Sequence, residues 1–206
     1  EIKMRVAVIN AVVSGRSTLG REDFDAEVVC LQLRKSLELI AFSSLSAHKE
    51  AYAQIHKNFS THWNATRLLS KMEKIHPDFY PKPVFFSKAD NRGIKHFENV
   101  KEGFLTRDNF VFLYDTCSKA IHSRNPFRTD SSIVNFEQSI ADWVLRIQKL
   151  LDTHYIRLVG TEDIWLVQMV HPENEKVHAY ISQAVPNDIV NESKIEISDP
   201  DVQSGN

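Results

Sequence analysis

The sequence predicts an α+β protein. A helical bundle spans residues 1–153, a small antiparallel β-meander follows over 154–186, and an acidic tail occupies 187–206. Three observations lead there. Apolar residues recur at spacings of three and four through most of the first 153 positions, the period of helices that bury one face. Three short segments rich in β-branched and aromatic residues then follow one another, separated by turn-forming residues. Of the 206 residues, 42% are hydrophobic, which suffices for the core of a single domain.

Residues 2–13, IKMRVAVINAVV, are apolar nearly throughout, a pattern shared by a strand and a buried helix. Ser14 to Arg21 reads as a loop. From Asp23 a long helix is predicted, with Phe24, Val28, Leu31, Leu37, Ile40, Ala41 and Leu45 on its apolar face. A bend is expected at Ser43 and Ser44, beyond which Tyr52 and Ile55 extend the face. The next helix is capped near Asn58 or Ser60 and aligns Trp63, Thr66, Leu69, Met72 and Ile75.

The run HPDFYPKPVFF contains three prolines in seven residues, so it is expected as a connection and not as sheet interior. In that reading Phe79, Tyr80, Phe85 and Phe86 pin it over the core. The functional alternative is a surface that docks a peptide or stacks a base. After a turn at Asn91-Arg92-Gly93, Thr106 is the predicted N-cap of a helix, and Leu105 and Phe110 have the spacing of a hydrophobic staple. That helix buries Phe110, Leu113, Tyr114, Cys117 and Ile121 and ends before Pro126.

Behind Asp130 or Ser131, the positions Ile133, Phe136, Ile140, Trp143, Ile147 and Leu150 form a helical seam. The seam closes the bundle or, alternatively, faces a second copy with Trp143 as anchor. The three strands of the meander are expected at His154–Val159, Ile164–Val170 and Lys176–Val185.

The 27 acidic and 25 basic side chains leave a formal charge of −2, so no global positive field draws the chain to nucleic acid. Any such contact must be local. No apolar run reaches the roughly 18 to 20 residues of a membrane span, and no membrane association is expected. Cys30 and Cys117 lie within apolar helical patterns and read as buried free thiols in a reducing, cytoplasmic setting. No cofactor is expected, because the phosphate-cradling glycine motifs and the serine nucleophile elbow do not occur. Nor is a metal, since His48, His56 and His62 do not have the spacing of ligands on adjacent helical turns.

The most suggestive stretch is CSKAIHSRNPF, Cys117 to Phe127. On a helix ending near Ser123, Lys119 and His122 share an outward face while Cys117 and Ile121 point inward. Arg124 and Asn125 follow where the chain turns. One reading is purely structural: cations in a last helical turn offset the partial charge of the free carbonyls, and Asn-Pro stops the helix. The other is chemical, with a histidine that moves a proton near neutral pH beside an arginine that stabilises an oxyanion at phosphorus.

With EVVCLQLRKSLELIA in one long helix and this Lys-His-Arg-Asn group on a later one, the chain resembles the HEPN class of bacterial helical-bundle proteins over residues 23 to 153. Many of that class are metal-independent ribonucleases of toxin and phage-defence systems that pair across a dimer axis. The resemblance implies a homodimer, RNA as substrate or ligand, and a protein partner such as an antitoxin. It also implies His122 as general acid or base and Arg124 as phosphate anchor, with Lys119 and Asn125 beside them. The class sets its arginine a few residues ahead of its histidine, whereas here the histidine comes first. The rival expectation is a non-catalytic interaction or scaffold domain of a larger bacterial assembly.

Overall fold

Residues 2–13 form a helix because a second helix gives their apolar side a partner. The computed structural model describes residues 1–55, 64–86, 97–122, 135–160, 163–172 and 174–182. Helix α1 (Ile2–Val13) buries Val6 and Ile9 against α2 (Glu22–Ala47). Glu22, Asp23 and Asp25 open α2, where negative charge suits the helix N-terminus.

The face α2 buries is not the one expected from its first turns. Val29, Cys30, Leu33, Leu37, Ile40 and Ala41 enter the core, whereas Phe24 and Leu31 remain 46% and 40% exposed. α1 and α5 (Arg107–Ile121) both pack on the Val29–Leu33–Leu37 side. A 3.6-residue period therefore turns Phe24, Val28 and Leu31 away from it. The bend expected at Ser43 and Ser44 also falls elsewhere. Ser43 and Ser46 return their hydroxyls to the carbonyls of Ile40 and Phe42, and the helix runs on to a break at His48. Helix α3 (Lys49–Ile55) follows.

Helix α4 (Ala65–Ile75) starts later than expected. Its cap is Asn64, whose side chain accepts from the Arg67 N–H at 2.9 Å. Asn58, Ser60 and Trp63 lie outside the described residues. The proline-rich run corrects a second expectation, since it ends as strand β1 (Lys82–Phe86), inside an antiparallel sheet of order β2-β1-β3-β4-β5. Here β2 is Phe97–Asn99, β3 is Thr153–Arg157, β4 is Ile164–Gln168 and β5 is His178–Ser182.

Pro83 is tolerated because β1 divides its pairing. Lys82 and Pro83 lie against Tyr155 and His154 of β3, while Val84, Phe85 and Phe86 lie against β2. Pro83 contributes only its carbonyl, which accepts from Val100 N–H at 2.9 Å. Strands β3, β4 and β5 form the expected meander, with Ile156 opposite Trp165 and Leu166 opposite Tyr180. A small second core of Val84, Tyr155, Ile164, Leu166 and Tyr180 lies on this sheet.

Thr106 caps α5 as predicted, accepting from Asn109 N–H at 3.2 Å, and both staple residues, Leu105 and Phe110, are buried. Helix α6 (Ile140–Leu151) begins at Ser139, whose hydroxyl accepts from Asp142 N–H at 3.1 Å, and not at Asp130 or Ser131. Those two residues and Ile133 lie outside the described residues. Phe136 precedes the helix, and the positive φ of Glu137, 59°, interrupts any earlier start. Trp143 is buried within the chain, stacked on Phe112, with its indole N–H donated to Phe136 O at 3.0 Å. The α+β class is thus realised, and no described helix is long and apolar enough to cross a membrane.

One side chain ties the helices to the sheet. His48 is 2% exposed, with Nδ1 2.7 Å from Ser44 O and Nε2 2.9 Å from Arg157 O. Both partners are backbone carbonyl oxygens, one on α2 itself and one on β3, so the ring bridges the two layers. It reaches β3 next to where β1 gives way to Pro81, which has no N–H to offer.

Candidate functional site

Helix α5 sets the candidate site by its phase. With Phe110, Leu113, Tyr114 and Cys117 turned into the core, Lys119 and His122 are left exposed. His122 is the C-cap residue, with φ −88° and ψ 133°, so the helix yields to extended backbone at that ring. The structure thus brings Lys119 and His122 to one exposed helix end. Arg124 and Asn125 lie outside the described residues.

A polar lock that the sequence reading missed holds α5 in this phase. The Glu38 carboxylate, 8% exposed, takes Lys35 Nζ at 2.8 Å, Arg34 Nε at 3.3 Å and the Tyr114 hydroxyl at 3.4 Å. Arg34 also donates to the Tyr114 hydroxyl at 3.2 Å, and its guanidinium carbon lies 5.1 Å from the centre of that ring. A charge buried this deeply is tolerated because it is paired and hydrogen-bonded. The Arg34 and Glu38 spacing of one helical turn was the available signal, but Tyr114 is far away in sequence. Glu38 offsets one of the two positive charges of Arg34 and Lys35, so this cluster keeps a net positive charge.

Arg34 and Glu38 of α2 both meet Tyr114 of α5, which ties the two packed helices together at that level. Within α5, Asp115 is exposed one turn before Lys119. Among the described residues, Lys119 supplies the positive charge at this helix end, with an acid at helical spacing.

The proline-rich tract forms a shallow cavity of about 290 Å³ lined by Pro77, Tyr80, Pro81, Pro83, Val100 and Phe104. Tyr80 braces its wall through a 3.0 Å hydrogen bond to Leu105 O, and burial pushes its hydroxyl far above the usual range. At the rim, Lys82 approaches Asp78 to 2.8 Å and holds that carboxyl below its ordinary value. Phe79 is buried, whereas Phe85 is exposed. The tract therefore pins the chain through Phe79 and Tyr80 and presents an apolar hollow with a neutralised rim.

His76 lies beside His48, with ring centroids 5.4 Å apart. Desolvation, and next the charge of His48, hold His76 below the usual histidine range. His171 and His178 stack at 4.1 Å. Among the described residues no group of three histidine, cysteine or acidic side chains is arranged to hold a metal. No protein-family model, curated protein or solved structure matches the chain.

Proposed function

We propose that the protein is a HEPN-like module that acts on RNA, a metal-independent ribonuclease of the toxin or defence type with His122 as the proton-moving group. The exposure of His122 at the end of a helix anchored by Thr106, Tyr114 and Cys117 is the observation that supports this reading. A proton shuttle must be reachable by substrate, and the exposed ring at the C-cap of α5 supports that role. In the proposed reaction the ribose 2′-oxygen attacks the adjacent phosphorus and the bond to the 5′-oxygen breaks. His122 carries the proton from the attacking to the departing oxygen, and Lys119 and Arg124 hold the phosphoryl oxygens with Asn125 beside them. The test is RNA cleavage in EDTA. His122→Ala should abolish cutting and leave the melting temperature nearly unchanged; activity that survives the substitution rules out the assigned role.

A second reading, a protein-interaction module that pairs with another copy of itself, rests on a separate observation. Met4, Val8 and Val13 of α1 and Phe24 and Leu31 of α2 are exposed apolar side chains on one helical hairpin. Light scattering tests it: a dimer that Met4→Glu with Leu31→Glu dissolves supports self-pairing, and a monomer at high micromolar concentration removes it.

A further inference from the structure

The hollow in the proline-rich tract has no part in the chemistry assigned to His122. It measures about 290 Å³, and among the described residues much of its wall is Pro77, Pro81 and Pro83 with the rings of Tyr80 and Phe104. That wall is poor in hydrogen-bonding groups. A proline has no N–H to give. The Pro83 carbonyl already accepts from Val100 N–H at 2.9 Å, and the Tyr80 hydroxyl is committed to Leu105 O. A polar substituent pressed against this wall would lose its water without compensation, so the buried side of an occupant must be apolar. The charged lining, Asp78 and Lys82, is half exposed and stands toward the open side.

We propose that the hollow binds a small aromatic monocarboxylate, its ring packed on the prolines and its carboxylate held by Lys82. Flat rings suit this wall, because proline rings and aromatic faces pack together in the recognition of proline-rich peptides, here with the roles exchanged. Phe104 adds an aromatic surface to the same wall. The prolines fix their own φ, so little of the wall has to be ordered when a ligand arrives. The volume lies at the bottom of the range of small-molecule sites, about 300 Å³, which suits one fused ring system and leaves no room for a folded peptide.

The charge of the ligand follows from the rim. Lys82 and Asp78 form a pair at 2.8 Å that is neutral by itself. Arg157 of β3 brings its Nε to 3.9 Å from the other Asp78 oxygen, so two cations and one anion leave a net charge of +1. His76, also beside Asp78, is held below the usual histidine range and adds no charge at neutral pH. One surplus positive charge matches a monoanion, whereas a doubly charged phosphate ester would set excess negative charge against Asp78. An ammonium group has three N–H donors, so Lys82 can keep Asp78 and still meet a carboxylate. The assignment does not rest on any action on RNA.

The test is titration of the full chain with naphthalene-2-carboxylate, followed by backbone amide NMR shifts. Saturable shifts at Val100 and Phe104 are expected, with a Kd of about 1 mM for a ligand of this size. Naphthalene-2-carboxamide, which keeps the rings and loses the charge, should bind about three- to fivefold more weakly. Lys82→Met should weaken the carboxylate by a similar factor and Lys82→Arg should restore it, while Asp78→Asn, which removes the opposing charge, should tighten it. The acid and amide comparison on the unaltered chain stands alone if a variant folds poorly. Equal binding of acid and amide, tighter binding of 2-naphthyl phosphate, shifts confined to residues away from the hollow, or no saturation by about 10 mM would each overturn the proposal.

Discussion

Replacing His48 by alanine should separate the helical layer from the sheet at one identifiable point. The ring is buried, places its two nitrogens 2.7 and 2.9 Å from Ser44 O and Arg157 O, and caps the end of the 26-residue helix α2. Two hydrogen bonds contribute about 0.5–1.5 kcal/mol each, and withdrawing a donor from a buried carbonyl adds about 1 kcal/mol. With the void left by the imidazole, the loss comes to about 3–4 kcal/mol. In a chain of this size that lowers the melting temperature by about 10 °C.

His48→Gln keeps one donor and should lose about half as much. The imidazole resonances of His76 supply a second readout. With burial and the neighbouring His48 charge both lowering its pKa in the wild type, removing His48 should move the His76 titration upward. A melting temperature within about 2 °C of wild type for His48→Ala, with His76 unmoved, would refute the assignment of His48 as the tie between layers.

Two further outcomes follow from buried groups. His76 and His154 are both held below the ordinary histidine range, chiefly by desolvation, so the folded state binds fewer protons than the unfolded one. Their stabilisation is complete above the unfolded value of about 6.5 and is lost as pH falls from there through the folded values. Melts should therefore fall between pH 7 and pH 5, with a shallower slope in His154→Gln; an unchanged slope removes His154 from the account. Trp143→Phe keeps most of the stacking on Phe112 but loses the N–H to Phe136 O, and should lower the urea midpoint by the equivalent of about 1–2 kcal/mol. Trp143→Ala should cost about 3–5 kcal/mol, and a cost under about 1 kcal/mol would contradict its burial.

The legible parts of the fold were those decided by neighbours in sequence. Thr106 with Leu105 and Phe110, and the β-branched and aromatic content of β3 and β4 between turn-forming residues, are local signals that the structure keeps. The misread parts were decided at a distance. Nothing near Phe24 or Leu31 says that α1 and α5 will both choose the other side of α2. The prolines of HPDFYPKPVFF argue against a strand until β3 and β2 are seen to divide the pairing of β1, so that Pro83 needs no N–H.

At the candidate site, the outward placement of Lys119 and His122 was readable from helical spacing and from Cys117 facing in. The Arg34–Glu38–Tyr114 lock was not, because it joins two helices remote in the chain. His48, set aside for lacking the spacing of a metal ligand, turned out to bind carbonyls instead.

The central claim is that His122 moves a proton while a ribose oxygen displaces its neighbour at phosphorus. The direct measurement is mass spectrometry of RNA incubated with the purified chain and EDTA, beside the same oligonucleotide carrying 2′-deoxyribose. The account predicts fragments ending in 2′,3′-cyclic phosphate and 5′-hydroxyl from RNA, with the deoxy strand intact. Cleavage of both strands, 5′-phosphate ends, or full-length RNA after prolonged incubation would contradict it.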